Sequence, residues 1–114
     1  MESKEQRLWL ACSAGELEIV RELAGDMAVD VNWVGEEKGD TPGHRACRFG
    51  HPEIVKVLLA HPAIELNKGN ERGVNSMFIA CQEGHKEVVS LLLADPRVDP
   101  NKVNKAGTTP FFVA

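Results

Sequence analysis

The chain of 114 residues carries 13 basic and 17 acidic side chains, a formal charge of -4, and so lacks the basic footprint that nucleic-acid binding requires. Its 43% hydrophobic and 26% charged residues are ordinary values for a globular domain and argue against disorder. The segment MESKEQR is charged where a signal peptide is apolar, and no apolar run approaches the roughly 18 residues that span a bilayer. We therefore expect a single intracellular domain whose partner is neither nucleic acid nor a membrane.

Residues 6–14 and 16–24 are predicted to form two helices, which Gly15 separates and Gly25 ends. Apolar residues recur on one side of the second helix, as in a stripe that faces a core. The polar stretch 33–40 follows, with glycines near both of its ends. We expect this stretch to form an extended finger loop with a turn at its tip.

Thr41 and Pro42 predict the start of a third helix, because a hydroxyl side chain caps the first turn and proline needs no N–H there. Gly50 ends this helix. A fourth helix begins at Pro52, and Pro62 prevents its continuation. The two helices are therefore a second copy of the first pair.

The same plan recurs in a third unit, with Asn75 as cap, Gly84 as break and Pro96 as stop, and GTTPFFVA opens a further copy. The residues in register, at steps of 34 or 35, are Ala11, Ala46, Ala80 and Ala114; Gly15, Gly50 and Gly84; and Asn32, Asn67 and Asn101. The expected repeats are residues 5–32, 33–67 and 68–101, with an incomplete fourth at 102–114. Self-similarity at this period predicts a solenoid, in which each unit buries its apolar face against its neighbours.

The segments TPGHRA (41–46), GHPEIVKVLL (50–59) and GHKEVVSLLL (84–93) resemble the ankyrin repeat. The resemblance implies an all-α fold: a single ankyrin-repeat solenoid over residues 1–114, in which stacked helix-turn-helix units are joined by β-hairpin-like finger loops. Tetratricopeptide repeats share the period, but they would not need a glycine-bearing loop between their helices.

Two departures from the family pattern have structural consequences. Gly43 replaces the signature leucine, which removes a side chain from a helix interior and destabilises that helix by roughly 1 kcal/mol relative to alanine. NSMF at 75–78 replaces TPLH. We therefore expect the third unit to lack the hydrogen bond from an imidazole to the loop and to keep only the Asn75 cap.

Cys12, Cys47 and Cys81 occupy one position in three successive units. Equivalent helices of stacked units lie roughly 8–10 Å apart, whereas a disulfide needs Cα atoms within about 7 Å. We therefore expect buried, reduced thiols in the slot where the family usually carries alanine, with a reactive thiol as the lesser alternative.

His44, Cys47 and His51, or Cys81 and His85, have a spacing that suits metal ligands on a helix. They recur once per repeat on different faces, however, and a structural zinc site needs four converging ligands. No third orienting group completes a pair of cysteine nucleophile and histidine base. We therefore expect no metal, no cofactor and no enzymatic activity.

The resemblance also implies a function, because ankyrin-like proteins bind other proteins through the concave face that finger tips and first helices form. We expect a non-enzymatic module that binds a folded protein partner. The candidate finger residues are Trp33, Glu37, Lys38, Asp40, Glu71, Arg72, Val74, Lys105 and Thr108. The candidates on first helices are Ser13, Ala14, Arg48, Phe49, Gln82 and Glu83. Trp33 is either an aromatic anchor of this interface or packs against the neighbouring finger.

Two further hypotheses stay open at this point. In ankyrin-like proteins a finger asparagine can be hydroxylated by an asparaginyl oxygenase. The residues that resemble this pattern are Leu59, Glu65, Leu66 and Asn67. The apolar residues 111–113 begin a unit without its second helix, so we also expect either a longer native chain or self-association through this end.

Overall fold

Six helices make up the regular structure of residues 2–99, which are the residues that the computed structural model describes. They are α1 (Lys4–Ala14), α2 (Leu17–Ala24), α3 (Pro42–Arg48), α4 (Pro52–Leu59), α5 (Ser76–Glu83) and α6 (Lys86–Leu93). Within this part of the chain there is no β-strand. The prediction of an all-α fold is confirmed.

The helices form three hairpins that stack in two layers. α1 packs on α2, α3 on α4 and α5 on α6. α1, α3 and α5 also pack side by side in one layer, and α2, α4 and α6 do so in the other. Two loops join the hairpins, finger 1 (residues 33–40) and finger 2 (residues 68–74). This arrangement is the predicted solenoid, in which each repeat contacts its neighbours in sequence.

The first helices begin at capping side chains. The Thr41 hydroxyl and the Asn75 amide oxygen accept hydrogen bonds from the backbone N–H three residues on, at 3.2 and 2.9 Å. α1 begins earlier than the sequence suggested, at Lys4, because the Ser3 hydroxyl caps it by accepting from the Gln6 N–H (3.1 Å). Each cap satisfies a donor that a helix start otherwise leaves unpaired.

Small residues in the first helices and branched ones in the second helices build the core. Ala11, Ala46 and Ala80 are at most 1% exposed, and their small side chains allow the first helices to pack closely. Branched side chains of the second helices fill the interior, namely Val20, Ile54, Val55, Leu58, Val88 and Leu92. Burial of these side chains supplies the main stabilising term of the stack.

Side-chain amides join successive repeats at equivalent positions. The Asn32 amide donates to the Ala63 carbonyl (2.7 Å) and accepts from the Glu65 N–H (2.9 Å). The Asn67 amide makes the same two bonds to the loop of the next repeat, at 2.8 and 2.7 Å. The asparagines that fall in register in the sequence therefore fix the spacing between repeats.

Two histidines add a second set of bonds between repeats. His51 Nε2 donates to the Ser13 carbonyl (3.1 Å), and His85 Nε2 donates to the Arg48 carbonyl (2.9 Å). Because a carbonyl only accepts, each ring carries its proton on Nε2. These histidines are structural contacts at the turns between helices.

Candidate protein-binding face

Backbone hydrogen bonds close both fingers. The Gly35 N–H donates to the Asp40 carbonyl in finger 1, and the Asn70 N–H donates to the Val74 carbonyl in finger 2, both at 2.9 Å. A further bond of 3.1 Å runs from the backbone N–H of residue 71 to the carbonyl of residue 38. The fingers are thus hairpin-like loops that lie side by side.

Asp40 is not the exposed finger residue that the sequence predicted, because its side chain is fully buried. Its carboxylate accepts hydrogen bonds from Arg48 Nε (3.1 Å) and from Asn70 Nδ2 (3.0 Å) and lies 3.5 Å from the Arg45 guanidinium. Burial alone would raise the pKa of Asp40, but the bonds from Arg48 and Asn70 hold it below its ordinary value. Asp40 therefore ties finger 1 to α3 and to finger 2.

The prediction that Arg48 is exposed is also wrong. Only 14% of its side chain is accessible, and the guanidinium makes a two-point contact with Asp40, at 3.1 and 3.3 Å. A guanidinium and a carboxylate that pair in this way are rigid and strongly bonded. Arg48 therefore stabilises the fold rather than pointing out of it.

Val74 stands in finger 2 at the position that Asp40 holds in finger 1. It is 5% exposed and belongs to the hydrophobic core. Val74 is therefore a core residue and not an exposed finger residue, because burying its apolar side chain is favourable.

Trp9 and Arg45 form a cluster that the sequence analysis missed. The Trp9 indole is 8% exposed and donates from Nε1 to the Asp40 carbonyl (2.8 Å). The Arg45 guanidinium lies 4.2 Å from the centre of the Trp9 ring and 4.8 Å from that of Phe49. Such contacts between cation and aromatic ring stabilise a partly buried arginine. The only sequence signal was a bulky aromatic in the apolar run 8–12 of α1.

Apart from Ala14 on α1, the exposed members of the predicted set define what we call the candidate face. They are Glu37, Lys38, Phe49, Glu71, Arg72, Gln82 and Glu83. Trp33 is partly buried, Ala14 is exposed, and Ser13 is partly buried, with its hydroxyl accepting from Arg45 Nε (2.9 Å). Lys105, Thr108 and residues 111–113 lie outside the described residues. Partner binding at these positions stays a prediction.

Comparison with known proteins identifies the family. A model described as ankyrin repeats (3 copies) matches residues 3–70, and one described as ankyrin repeats (many copies) matches residues 77–114. The chain belongs to the ankyrin-repeat family. It is 50% identical over 34 residues to the ankyrin repeat and LEM domain-containing protein 2 of Mus musculus and to that of Rattus norvegicus. The matched part covers 30% of this chain and 4% of either relative.

The second ankyrin repeat carries the histidine that the family signature predicts. His44 Nδ1 accepts from the Thr41 N–H (2.9 Å), and Nε2 donates to the Lys68 carbonyl in the next loop (2.7 Å). Burial lowers the pKa of His44, although the Lys68 bond and the nearby Asp40 carboxylate oppose this effect. The neutral ring suits both bonds, because one nitrogen accepts while the other donates.

The third ankyrin repeat lacks this bridge, as expected. Phe78 stands in place of the histidine and is 4% exposed. The Asn75 cap remains, but its Nδ2 is buried and finds no hydrogen-bond partner among the described residues. The third repeat thus replaces a polar connection by apolar packing.

The three cysteines of the ankyrin repeats are buried free thiols, as predicted. Burial raises the pKa of all three thiols, to about 12 for Cys47. A raised pKa disfavours the nucleophilic thiolate. Histidine, cysteine, aspartate and glutamate side chains of residues 2–99 form no group of three or more that could hold a metal ion.

Asn67 is a structural residue of the ankyrin stack, since its amide oxygen and nitrogen both bond to the next loop. Its hydroxylation stays a prediction. Among the helices of the described residues, none is long and apolar enough to cross a membrane.

Proposed function

We propose that this chain is a non-enzymatic module that binds a folded protein partner through the candidate face. Ankyrin repeats are generally protein–protein interaction modules, which supports the class of function. The exposed residues of both fingers and of the ends of α3 and α5 support the location. An intracellular setting is part of the proposal and agrees with three unpaired thiols.

The observation that carries the proposal is the contrast between Arg45 and Phe49. Arg45 is 6% exposed and bonds to Ser13 and Asp40. Phe49, whose ring stacks on the Arg45 guanidinium, is 46% exposed. An aromatic ring that is held in place but remains accessible loses little conformational freedom on binding. Rings and arginines of this kind dominate interface energies. Phe49 is therefore the proposed aromatic anchor, and Arg72, which is exposed in finger 2, is the proposed arginine anchor.

The test removes the anchors and keeps the buried pairing of Asp40 with Arg45 and Arg48, although Phe49→Ala takes one of the two stacked rings from the Arg45 guanidinium. The combined change Phe49→Ala, Arg72→Ala and Gln82→Ala should weaken binding to a captured partner by about 2 kcal/mol or more. Partner capture from lysate with mass spectrometry would supply the ligand, and calorimetric titration would measure its affinity.

The matched control is a triple change of exposed residues on α6, Lys86→Ala, Glu87→Ala and Ser90→Ala. It should leave the affinity unchanged while both variants keep the wild-type circular dichroism. Weakened binding by the α6 variant, with normal binding by the first, would place the interface on the second-helix side and overturn the proposal.

A further inference from the structure

A groove with a volume of about 330 Å³ runs between α1 and finger 1. Besides Gly35, the described residues that line it are Gln6, Trp9, Leu10, Trp33, Glu36 and Glu37. The chain has two tryptophans, and both lie in this groove. Its volume is at the lower end of the range of roughly 300–1,000 Å³ for small-molecule sites.

The wall of the groove is fixed by contacts within the protein. Trp9 is held by its bond to the Asp40 carbonyl (2.8 Å) and by the stacked Arg45 guanidinium. Gly35 lies so close to the indole that a Cβ there would be 2.5 Å from Trp9 Nε1. Leu10 is 39% exposed and adds apolar surface beside the ring. The Trp9 side of the groove is therefore preformed.

The charge of the groove is negative. Glu36 and Glu37, both exposed, are the charged residues among those that line it. Arg45 lies 3.8 Å from Glu37 and 3.5 Å from Asp40, so its charge is offset inside the protein. Glu36 makes no ion pair with any described residue. A bound group with a positive charge would therefore pair with the carboxylates that line the groove.

We propose that this groove binds one arginine side chain of the partner protein. The inference rests on the proposed function and names the chemistry that the partner presents there. The methylene groups of the arginine lie on Leu10 and Trp33, and the guanidinium lies against the Trp33 ring and the Glu36 and Glu37 carboxylates. Arginine suits such a site because its planar cation stacks on aromatic rings and bonds to carboxylates at once.

Arg45 shows that the cluster accommodates a guanidinium. It already contacts the Trp9 ring at 4.2 Å and Glu37 at 3.8 Å. Trp33 and Glu36 repeat the same pair of chemical groups on the open side of the groove. The proposed arginine would thus be a second cation in a cluster that holds one of its own.

The probe for the test is N-acetyl-arginine N-methylamide, titrated into the intact chain labelled with nitrogen-15. Because both tryptophans line the groove, the two indole N–H resonances report on it alone. We expect saturable shifts, with a dissociation constant in the millimolar range that suits so small a ligand. The Trp33 resonance should move more, since the Trp9 N–H is already bonded.

The double variant Glu36→Gln and Glu37→Gln should weaken binding of the probe at least threefold. A control variant with the same loss of charge on second helices, Glu22→Gln and Glu87→Gln, should bind as the wild type does. The dispersion of the amide resonances verifies that both variants are folded.

Three results would overturn the proposal: no saturable shift, unchanged affinity in the Glu36 and Glu37 variant, or equal binding of the uncharged analogue N-acetyl-norleucine N-methylamide. The probe needs no partner protein. Its failure is therefore distinguishable from failure of the candidate face, which the Phe49, Arg72 and Gln82 variant tests separately.

Discussion

The first helices of the second and third repeats begin in the same way, but polar side chains are buried around the start of one and apolar side chains around the start of the other. Equivalent positions hold Asp40 and Val74, His44 and Phe78, Arg45 and Ile79, and all six side chains are buried. In the second repeat they form a polar network that reaches α1, finger 1 and the following loop. In the third repeat they join the hydrophobic core.

The difference shows which features this fold needs at a helix start. Both starts keep a capping side chain, Thr41 or Asn75, and a fully buried alanine. The polar signature itself is replaceable, provided that all of its members are replaced together, because a half-satisfied buried network is worse than an apolar one. Exchanging residues between the two repeats tests this statement directly.

The largest effect is expected from Asp40→Val, which places the residue of the third repeat in the second. Arg45 and Arg48 would lose their buried carboxylate, and Asn70 would lose its acceptor. We expect a loss of about 3 kcal/mol in the free energy of unfolding. Urea denaturation followed by circular dichroism measures it.

The matched control replaces Asp40 together with both arginines that pair with it, by Asp40→Val, Arg45→Ile and Arg48→Gln in one chain. No guanidinium is then left without its partner, so the triple variant should be more stable than Asp40→Val alone by at least about 1 kcal/mol. A triple variant less stable than the single one would show that the polar residues contribute beyond their mutual pairing.

The next effect is that of His44→Phe, again an exchange from the third repeat. It removes the acceptor of the Thr41 N–H and the donor to the Lys68 carbonyl. We expect a loss of about 2 kcal/mol at neutral pH, since a buried N–H would remain unpaired. Phe78→Leu, an apolar exchange in the third repeat, is the control and should cost less than about 1.5 kcal/mol. Equal losses for both variants would contradict a special role for the histidine bridge.

Lowering the pH should affect the second repeat through His44, whereas the third repeat has Phe78 at the equivalent position and cannot titrate there. Burial lowers the pKa of His44 from 6.5, against the opposing Asp40 carboxylate at 4.0 Å and with Arg48 and Lys68 also nearby. Between the pKa of His44 in the unfolded chain and its lower pKa in the folded chain, the unfolded chain binds a proton that the folded chain does not. The free energy of unfolding therefore decreases as the pH is lowered through this range. This group contributes at most about 1.4 kcal/mol per pH unit.

The measurement is urea denaturation of the wild type and of His44→Phe at several pH values below 6.5. The wild type should lose stability more steeply, because the variant lacks this titrating group. Parallel curves would show that His44 titrates alike in the folded and unfolded chain.

The sequence was sufficient for the fold because its signals are local. Thr41 with Pro42, the breaking glycines and the period of the repeat predict helix ends and stacking without knowledge of contacts between repeats. Arg48 and Asp40 were misassigned for the opposite reason. Both are largely buried because the Asp40 carboxylate bonds to Arg48 on α3 and to Asn70 in finger 2. A repeat pattern shows which positions are equivalent, but it does not show which side chains pair.

The Trp9 cluster escaped the sequence analysis in the same way. Trp9 contacts Arg45 and the Asp40 carbonyl in the adjoining repeat, and no spacing rule within one helix links such residues. Trp33 was a candidate because it stands in a polar finger, whereas Trp9 stands in the apolar run 8–12. The groove between the two tryptophans therefore forms only when the first and second repeats pack together.

The smallest effect is expected from Gly43→Ala, which moves the second repeat toward the third, where Met77 fills the equivalent position. Gly43 borders a cavity of about 20 Å³, together with Cys47 and Leu58. A Cβ at this position would lie 3.6 Å from its nearest neighbour, an ordinary contact. Alanine should therefore stabilise the chain by about 1 kcal/mol through its higher helix propensity.

Gly50→Ala is the control, since the same change should have the opposite sign there. Gly50 has a φ of 68°, and a Cβ would lie 2.6 Å from His85 Nδ1, so alanine should cost about 1–2 kcal/mol in strain. Thermal melts of the two variants and of the wild type show whether the two changes have opposite signs.

Because a cavity of about 20 Å³ holds roughly one water molecule, the signature leucine at position 43 would overfill it. A Gly43→Leu variant more stable than Gly43→Ala would show instead that the helices separate readily, and that the glycine leaves the second repeat loosely packed.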